Sequence, residues 1–381
     1  MTARRCIEPP PRPCSPALCL LIAFAVLTLS ASAVAARIES PPPGAHDARI
    51  ARKGIQTLQR WYVPASGLYA APAGWWNAAN AITVLSDYAL ATGDDSWNPV
   101  IAHSFTAAQT ARRNFLNQYF DDDSWWALAW IEAYDLTRNP ACLSMSETIF
   151  ARLAADGWDS KTCGGGMWWS AEKKYKNAIA NELFLSIAAE LANRTQGEKS
   201  AEYRAWALRE WNWFRSSGMI NREHLINDGL NSSHPDACVN NGKNPWTYNQ
   251  GVILGGLVAL SQADHNPALL DQAKAIADAA LARLTTRHHV LIETTVAGRD
   301  APQFKGIFVR NLMALYQALP ASDPDRRHYR EVVAANARSI ARQDRSRHDE
   351  FGALWEGPFD SGDATRQSSA LDALIAAISM H

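Results

Sequence analysis

Apolar residues recur at helical spacing along most of the chain, and no stretch alternates for long enough to read as a strand. The segments with this period are 48–62, 76–92, 97–118, 123–137, 141–156, 175–194, 199–216, 248–262, 267–286, 303–319, 325–343 and 364–379, twelve predicted helices in all. They are of two kinds, and the kinds alternate. The odd members carry a charged face, as in Lys199 to Arg215 and Asp325 to Arg342. The even members are small and apolar nearly all round, as in Ala178 to Ala189, Gly251 to Leu260 and Leu371 to Ile378. A helix apolar on every side is surrounded by protein, whereas an amphipathic one has a wet face. Buried helices alternating with half-exposed ones predict an all-α fold, an (α/α)6 barrel of six inner and six outer helices.

Loop lengths give this barrel a front and a back. After each inner helix the chain turns in a few residues, as at Thr92-Gly93-Asp94 and Thr195-Gln196-Gly197-Glu198. Before most inner helices the connection is long: 63–75, 157–174, 217–247, 287–302 and 344–363. Long loops in a compact domain are usually functional. Most carboxylates and rings of note lie in or beside them: Trp75-Trp76, Asp121-Asp122-Asp123, Gly164 to Trp169, Asp228, Trp246 to Asn249 and Trp355-Glu356. Rings stack on the apolar faces of sugars while short polar groups bind hydroxyls, so the long-loop face is expected to hold a carbohydrate cleft.

Composition sharpens this picture. The chain of 381 residues has 15 Trp, and an indole needs a partner for its N–H when buried, so this many suggests rings also used as surfaces. With 37 Lys+Arg against 38 Asp+Glu there is no basic excess of the kind that binds nucleic acid. Arg4, Arg5 and Arg12, the apolar run Ala17 to Leu29 and the small residues Ala31 to Ala36 read as a secretory signal over 1–36, cut between Ala33 and Ala36. That leaves 37–381 as a single catalytic domain, secreted or periplasmic, with no membrane contact after cleavage and expected to be a monomer. Of the cysteines beyond the signal, Cys142 opens a helical pattern while Cys163 and Cys238 lie in loops. In an oxidising compartment the expected bridge is Cys163–Cys238. The histidines show no ligand spacing, so no metal and no cofactor are expected.

The sharpest chemistry is Tyr119-Phe120-Asp121-Asp122-Asp123-Ser124-Trp125-Trp126. Hydrolysing a glycosidic bond takes one carboxylate at the anomeric carbon and one carboxylic acid to protonate the leaving oxygen. Neighbouring aspartates supply both, and mutual repulsion with burial among rings would raise one proton affinity. Three aspartates could also merely cap a helix, for which one would suffice.

Asp121-Asp122 followed by Trp125 to Trp130 and by Ala133-Tyr134-Asp135-Leu136-Thr137 resembles glycoside hydrolase family 76, the bacterial endo-α-1,6-mannanases and their fungal cell-wall relatives. The likeness continues through Cys163 to Gly166, Lys176 to Phe184, Trp246 to Gly251 and Phe304 to Arg310, and so spans nearly the whole mature chain. It implies a metal-free (α/α)6 barrel that cleaves α-1,6-linked mannose with retention, with Asp121 the nucleophile and Asp122 the general acid/base. A third Asp stands where that family varies, so Asp123 is an alternative participant. The implied partner is α-mannan or a mannooligosaccharide.

Around this pair, Trp75, Asp123, Trp125, Trp126, Trp168, Asn177, Asn181, Asp228, Tyr248, Asn249 and Trp355 are candidate substrate-binding residues. Each has an ordinary alternative. Asn177 and Asn181 could be satisfied by backbone, Tyr248 and Asn249 could cap a helix, Asp228 could turn its loop, and one of Trp168 and Trp169 could be core. Glycines 164–166 would let backbone approach a ligand, and Arg310 calls for an acidic partner, for which a cleft carboxylate is a candidate. Rings from five separate segments, Trp75, Trp125, Trp168, Trp246 and Trp355, suggest an open groove holding several sugars. Competing functions are a mannan transglycosylase, another α/α-barrel glycoside hydrolase and a non-catalytic glycan-binding protein.

Overall fold

A computed structural model describes residues 44–111, 113–231 and 238–380. The signal-peptide reading of 1–36 lies outside them. Twelve α-helices follow in order: α1 (Ala45–Leu58), α2 (Trp75–Thr92), α3 (Asn98–Ala111), α4 (Phe120–Thr137), α5 (Pro140–Arg152), α6 (Ala178–Arg194), α7 (Gly197–Phe214), α8 (Thr247–Ala263), α9 (Ala268–Arg283), α10 (Ala301–Ala318), α11 (Asp325–Gln343) and α12 (Ala364–Ser379). The even helices pack side by side in a closed ring, α2, α4, α6, α8, α10, α12 and back to α2, and each odd helix lies outside it. This is the predicted all-α barrel. The pattern decides the layer: 14 of 17 residues of α6 are buried but only 6 of 18 in α7.

Local signals set the helix ends. Asn139 caps α5 by accepting from the Ala141 N–H, with Pro140 as first helical residue, and Asp363 caps α12 through the N–H groups of Thr365 and Arg366. Gly93, with φ at 74°, ends α2. One predicted helix is too long. The segment expected over 97–118 stops at Ala111, and Arg113, Asn114 and Phe115 all have positive φ. The turn carries the Phe115 ring into a buried cluster with Trp75, Trp126 and Trp130, and that packing outweighs continued helix.

The third or fourth residue of each inner helix is polar and fully buried, and together these side chains fasten the front of the barrel. Asn181 of α6 accepts from Met167 N (2.6 Å) and donates to Met167 O. Gln250 of α8 does the same for Ile226, at 2.8 Å each way. Gln367 of α12 holds Phe351 N, Gly54 O and Asp349 O. Asn77 of α2 holds Gly74 N and donates to Gln303 of α10, which in turn donates to the Ser368 hydroxyl. On α4 the position is Asp123, whose Oδ1 accepts from Asn117 N at 2.8 Å. Buried loop backbone needs such partners, since water cannot reach it.

Candidate active site

At the N-terminal ends of the inner helices lies a cavity of about 750 Å³. Asp121 and Asp122, in the first turn of α4, both line it. Asp121 Oδ2 accepts from the indole Nε1 of Trp169 at 3.0 Å, while its Oδ1 is buried without a partner. Asp122 Oδ2 accepts from the Asn117 amide at 2.7 Å. The positive end of the helix favours anions here, but burial works the other way. Burial, then the charge of Asp122, hold the Asp121 proton well above the ordinary carboxyl range. Burial likewise pushes Asp122 up to about 6, against the Asn117 bond, with Asp300 adding to the rise and Arg299 opposing it. Both carboxyls of the pair therefore hold their protons more firmly than exposed aspartates do.

The floor is a row of rings. Trp125 stacks on Trp76 at 5.5 Å between centroids, Trp76 on Phe304 at 6.2 Å, and Phe304 on Tyr248 at 3.9 Å. Three carboxylates around the cavity each accept from an indole N–H: Asp121 from Trp169, Asp300 from Trp76 (3.0 Å), and Asp228 from Trp246 (3.2 Å). Asp228 also accepts from the Tyr175 hydroxyl at 2.5 Å. The tryptophans are thus both surfaces and donors that set the angles of the acids, which accounts for part of their number.

Of the residues singled out from the sequence, Trp75, Asp121, Asp122, Trp125, Asn177, Asp228 and Tyr248 line the cavity. Asn177 does so while capping α6, its side chain accepting from Ala180 N. The others require correction. Asp123 and Asn181 face loop backbone, as described above. Burial, which favours the neutral acid, pushes the Asp123 proton affinity up to about 8 against the bond from Asn117 N. Trp126 is fully buried against Trp75, Phe115 and Trp130. Trp168 is buried beneath the Lys176 ammonium, and its neighbour Trp169 takes the cavity wall instead. Asn249 is wholly buried. Trp355 is buried under the ammonium of Lys305, 4.3 Å from its ring, and its loop stays out of the cavity.

Glycines 165 and 166 approach a ring, not a ligand: a Cβ at either would lie 2.6 Å or less from Trp213, and both have positive φ. Arg310 pairs with Asp372 at 3.2 Å and Asn80 at 2.6 Å, not with a cleft carboxylate. Sequence reasoning passed over Asp300, Arg299, Phe304, Tyr175 and Tyr119 as site residues; of the pair Trp168 and Trp169 it left open which was core. Asp300 precedes an inner helix just as Trp246 does, and that position was the available signal. Cys163 and Cys238 are bridged, with sulfurs 2.04 Å apart, and Cys142 is a buried free thiol. Among the described residues no group of three or more His, Cys, Asp or Glu could hold a metal ion, and no helix is long and apolar enough to cross a membrane.

Residues 51–381 match the model of glycosyl hydrolase family 76. The chain belongs to that family. Among its curated relatives, the mannan endo-1,6-alpha-mannosidase DCW1 of Candida glabrata is 28% identical over 278 residues, 67% of this chain and 60% of the relative. The DFG5 protein of Candida albicans, of the same name, is 28% identical over 82% of this chain and 74% of its own length. For the Candida albicans DCW1 protein, 30% identical, the match spans 46% of the relative, so the chain spans about half the length of some curated relatives it matches. In fold it resembles the GH76A alpha-1,6-mannanase of Salegentibacter sp. HEL1_6, with a TM-score of 0.80, 24% identity, and coverage of 88% of this chain and 100% of that one. An inactive variant of that enzyme, with two adjacent aspartates replaced by alanine, has been seen in complex with α-1,6-mannotetraose.

Proposed function

We propose that this family 76 protein is an exported, retaining endo-α-1,6-mannosidase in which Asp121 is the nucleophile and Asp122 the general acid/base. The observation that carries the reading is the adjacent pair itself, two acids in one helical turn facing a ring-floored cavity, with burial raising the proton affinity of both. The inactivation of a relative by replacing two adjacent aspartates supports it. In the first step an oxygen of Asp121 bonds to C1 of a mannosyl unit while the C1–O bond to the next sugar breaks and the Asp122 proton passes to the departing oxygen. In the second, water attacks C1, gives its proton to Asp122, and Asp121 leaves as carboxylate. Burial raises the proton affinity of Asp121 further than these roles need. Positive charge developing at C1 favours the Asp121 anion, and a sugar displacing water from Asp122 raises its proton affinity, so the substrate itself moves the proton to the acid. Export fits the leader-like start of the sequence and the Cys163–Cys238 bridge, which persists in oxidising compartments.

The experiment is incubation with unbranched α-1,6-mannan. Mixed mannooligosaccharides are expected early, and mannose alone from the first minutes would refute endo-action. Asp121→Asn and Asp122→Asn should both fold and lose turnover, roughly 10² to 10⁴-fold for the acid. A substrate with an activated leaving group needs no proton, so it should rescue glycosylation in Asp122→Asn only. Rescue of Asp121→Asn instead would exchange the two roles.

A further inference from the structure

We propose that Asp300 is a positioning and recognition residue of the cleft: one carboxylate oxygen fixes the Trp76 platform by its indole N–H, and the other accepts a hydroxyl of the bound sugar. Asp300 is the residue just before α10, a place where aspartate ordinarily caps the helix. Its side chain makes no capping bond there. Instead Oδ1 accepts from Trp76 Nε1 at 3.0 Å, across 224 residues of sequence. An ion pair with Arg299 does not explain the placement either, since at 3.6 Å, with the side chains 45% and 63% exposed, it contributes little. Among the described residues no hydrogen bond to Oδ2 is found, and the side chain lines the cavity.

Its place in the ring assigns it a partner in the reaction. Counting around the inner helices in either direction, α10 is three steps from α4, so Asp300 stands across the cavity mouth from Asp121 and Asp122. Between them lie the stacked rings of Trp125, Trp76 and Phe304. A sugar laid on Trp76 with its anomeric carbon toward α4 presents hydroxyls toward α10, where a half-exposed carboxylate is a strong acceptor. The groups facing the Asp122 carboxyl are Asn117, Asp121, Asp123, Asp300 and Arg299, so the last two also set opposing fields on the proposed acid.

This inference rests on the mannosidase reading, and α-1,6-mannotetraose is the probe. Asp300→Leu should leave the melting temperature unchanged and raise KM roughly 10- to 100-fold, the loss for one hydrogen bond to a charged acceptor. Asp300→Asn keeps an acceptor for the indole and should fall between. In a Trp76→Phe background, which has no N–H to hold, the effect of Asp300→Leu should shrink. Asp300→Asn should shift the alkaline limb of kcat/KM to lower pH because Asp122 loses a neighbouring negative charge, and Arg299→Gln should shift it upward. Unchanged KM in Asp300→Leu, or strict additivity with Trp76→Phe, overturns the proposal, as do limbs that move together. Wild-type turnover separates the two readings: its absence overturns the mannosidase, whereas an active enzyme indifferent to residue 300 overturns only this inference.

Discussion

At the scale of single residues, the decisive distinction is which of two or three adjacent side chains faces the cavity. Consecutive helical positions differ by about 100° around the axis, so Asp121 and Asp122 can point into the cleft while Asp123 cannot. Asp123 occupies the position held by amides on the other inner helices, and its Oδ1 does their work. Asp123→Asn should therefore keep turnover within about tenfold, because the amide oxygen can still accept from Asn117 N and the neutral acid is replaced by a neutral group. Asp123→Ala strands that N–H and should cost about 1–3 kcal/mol. Thermal melts and mannan hydrolysis check both, and a collapse of activity in Asp123→Asn with an intact fold would return this residue to the chemistry. The same ambiguity decided Trp168 against Trp169. A pair of identical residues in a loop has no periodicity to say which is inside; the Lys176 ammonium, which also reaches the carbonyls of Asp159, Thr162 and Gly165, settles it by drawing Trp168 under itself.

Elements were far more legible than residues. Burial of a whole helix changes its composition along some eighteen positions, and so the alternation of inner and outer helices, the long-loop face and the acids at the start of α4 could all be read in advance. The loop before α12 misled because its length resembled that of the functional loops, yet its Trp355 serves to cover Lys305. What fastens the long loops is also an element-scale matter. The Cys163–Cys238 bridge closes a loop of 75 residues and joins the segments before α6 and α8. In the chain-entropy model such a link stabilises by about 4–5 kcal/mol, often less in practice. Replacing both cysteines by Ser should lower the denaturation midpoint accordingly, and a midpoint unchanged by reduction would show the link to be energetically idle. Gln250→Leu should cost about 1–3 kcal/mol for each Ile226 group it strands, and the loss should fall on the loop carrying Asp228, raising KM before it unfolds the barrel.

Across the whole molecule, several acids on inner helices and in the front connections are buried or half-buried, and their proton affinities predict how stability depends on pH. Burial is the leading cause in each: Asp123, Glu132 and Asp344 are pushed up to about 8, and Asp87 and Glu293 to about 7. An acid whose folded-state affinity exceeds its unfolded value binds its proton more tightly when folded. Its contribution is complete below the unfolded value, near 4, and is lost as pH rises through 7 to 8. Asp159 is the opposite case. Burial opposes its charge, but the N–H groups of Lys161 and Thr162 and the Lys176 ammonium outweigh that and hold it at about 2, so its contribution fades only as pH falls below about 4. Lys305, lowered to about 8 by burial, is charged in both states below that pH and adds no slope between 4 and 7. These signs combine into a stability maximum in mild acid, at about pH 4–5, with a steady decline toward pH 8. Calorimetric melting temperatures from pH 3 to 9 measure it directly. A melting temperature that rises from pH 5 to 8 would mean that the buried acids are ionised and paired in the folded state, and the raised proton affinities of Asp121 and Asp122 would then need a separate explanation.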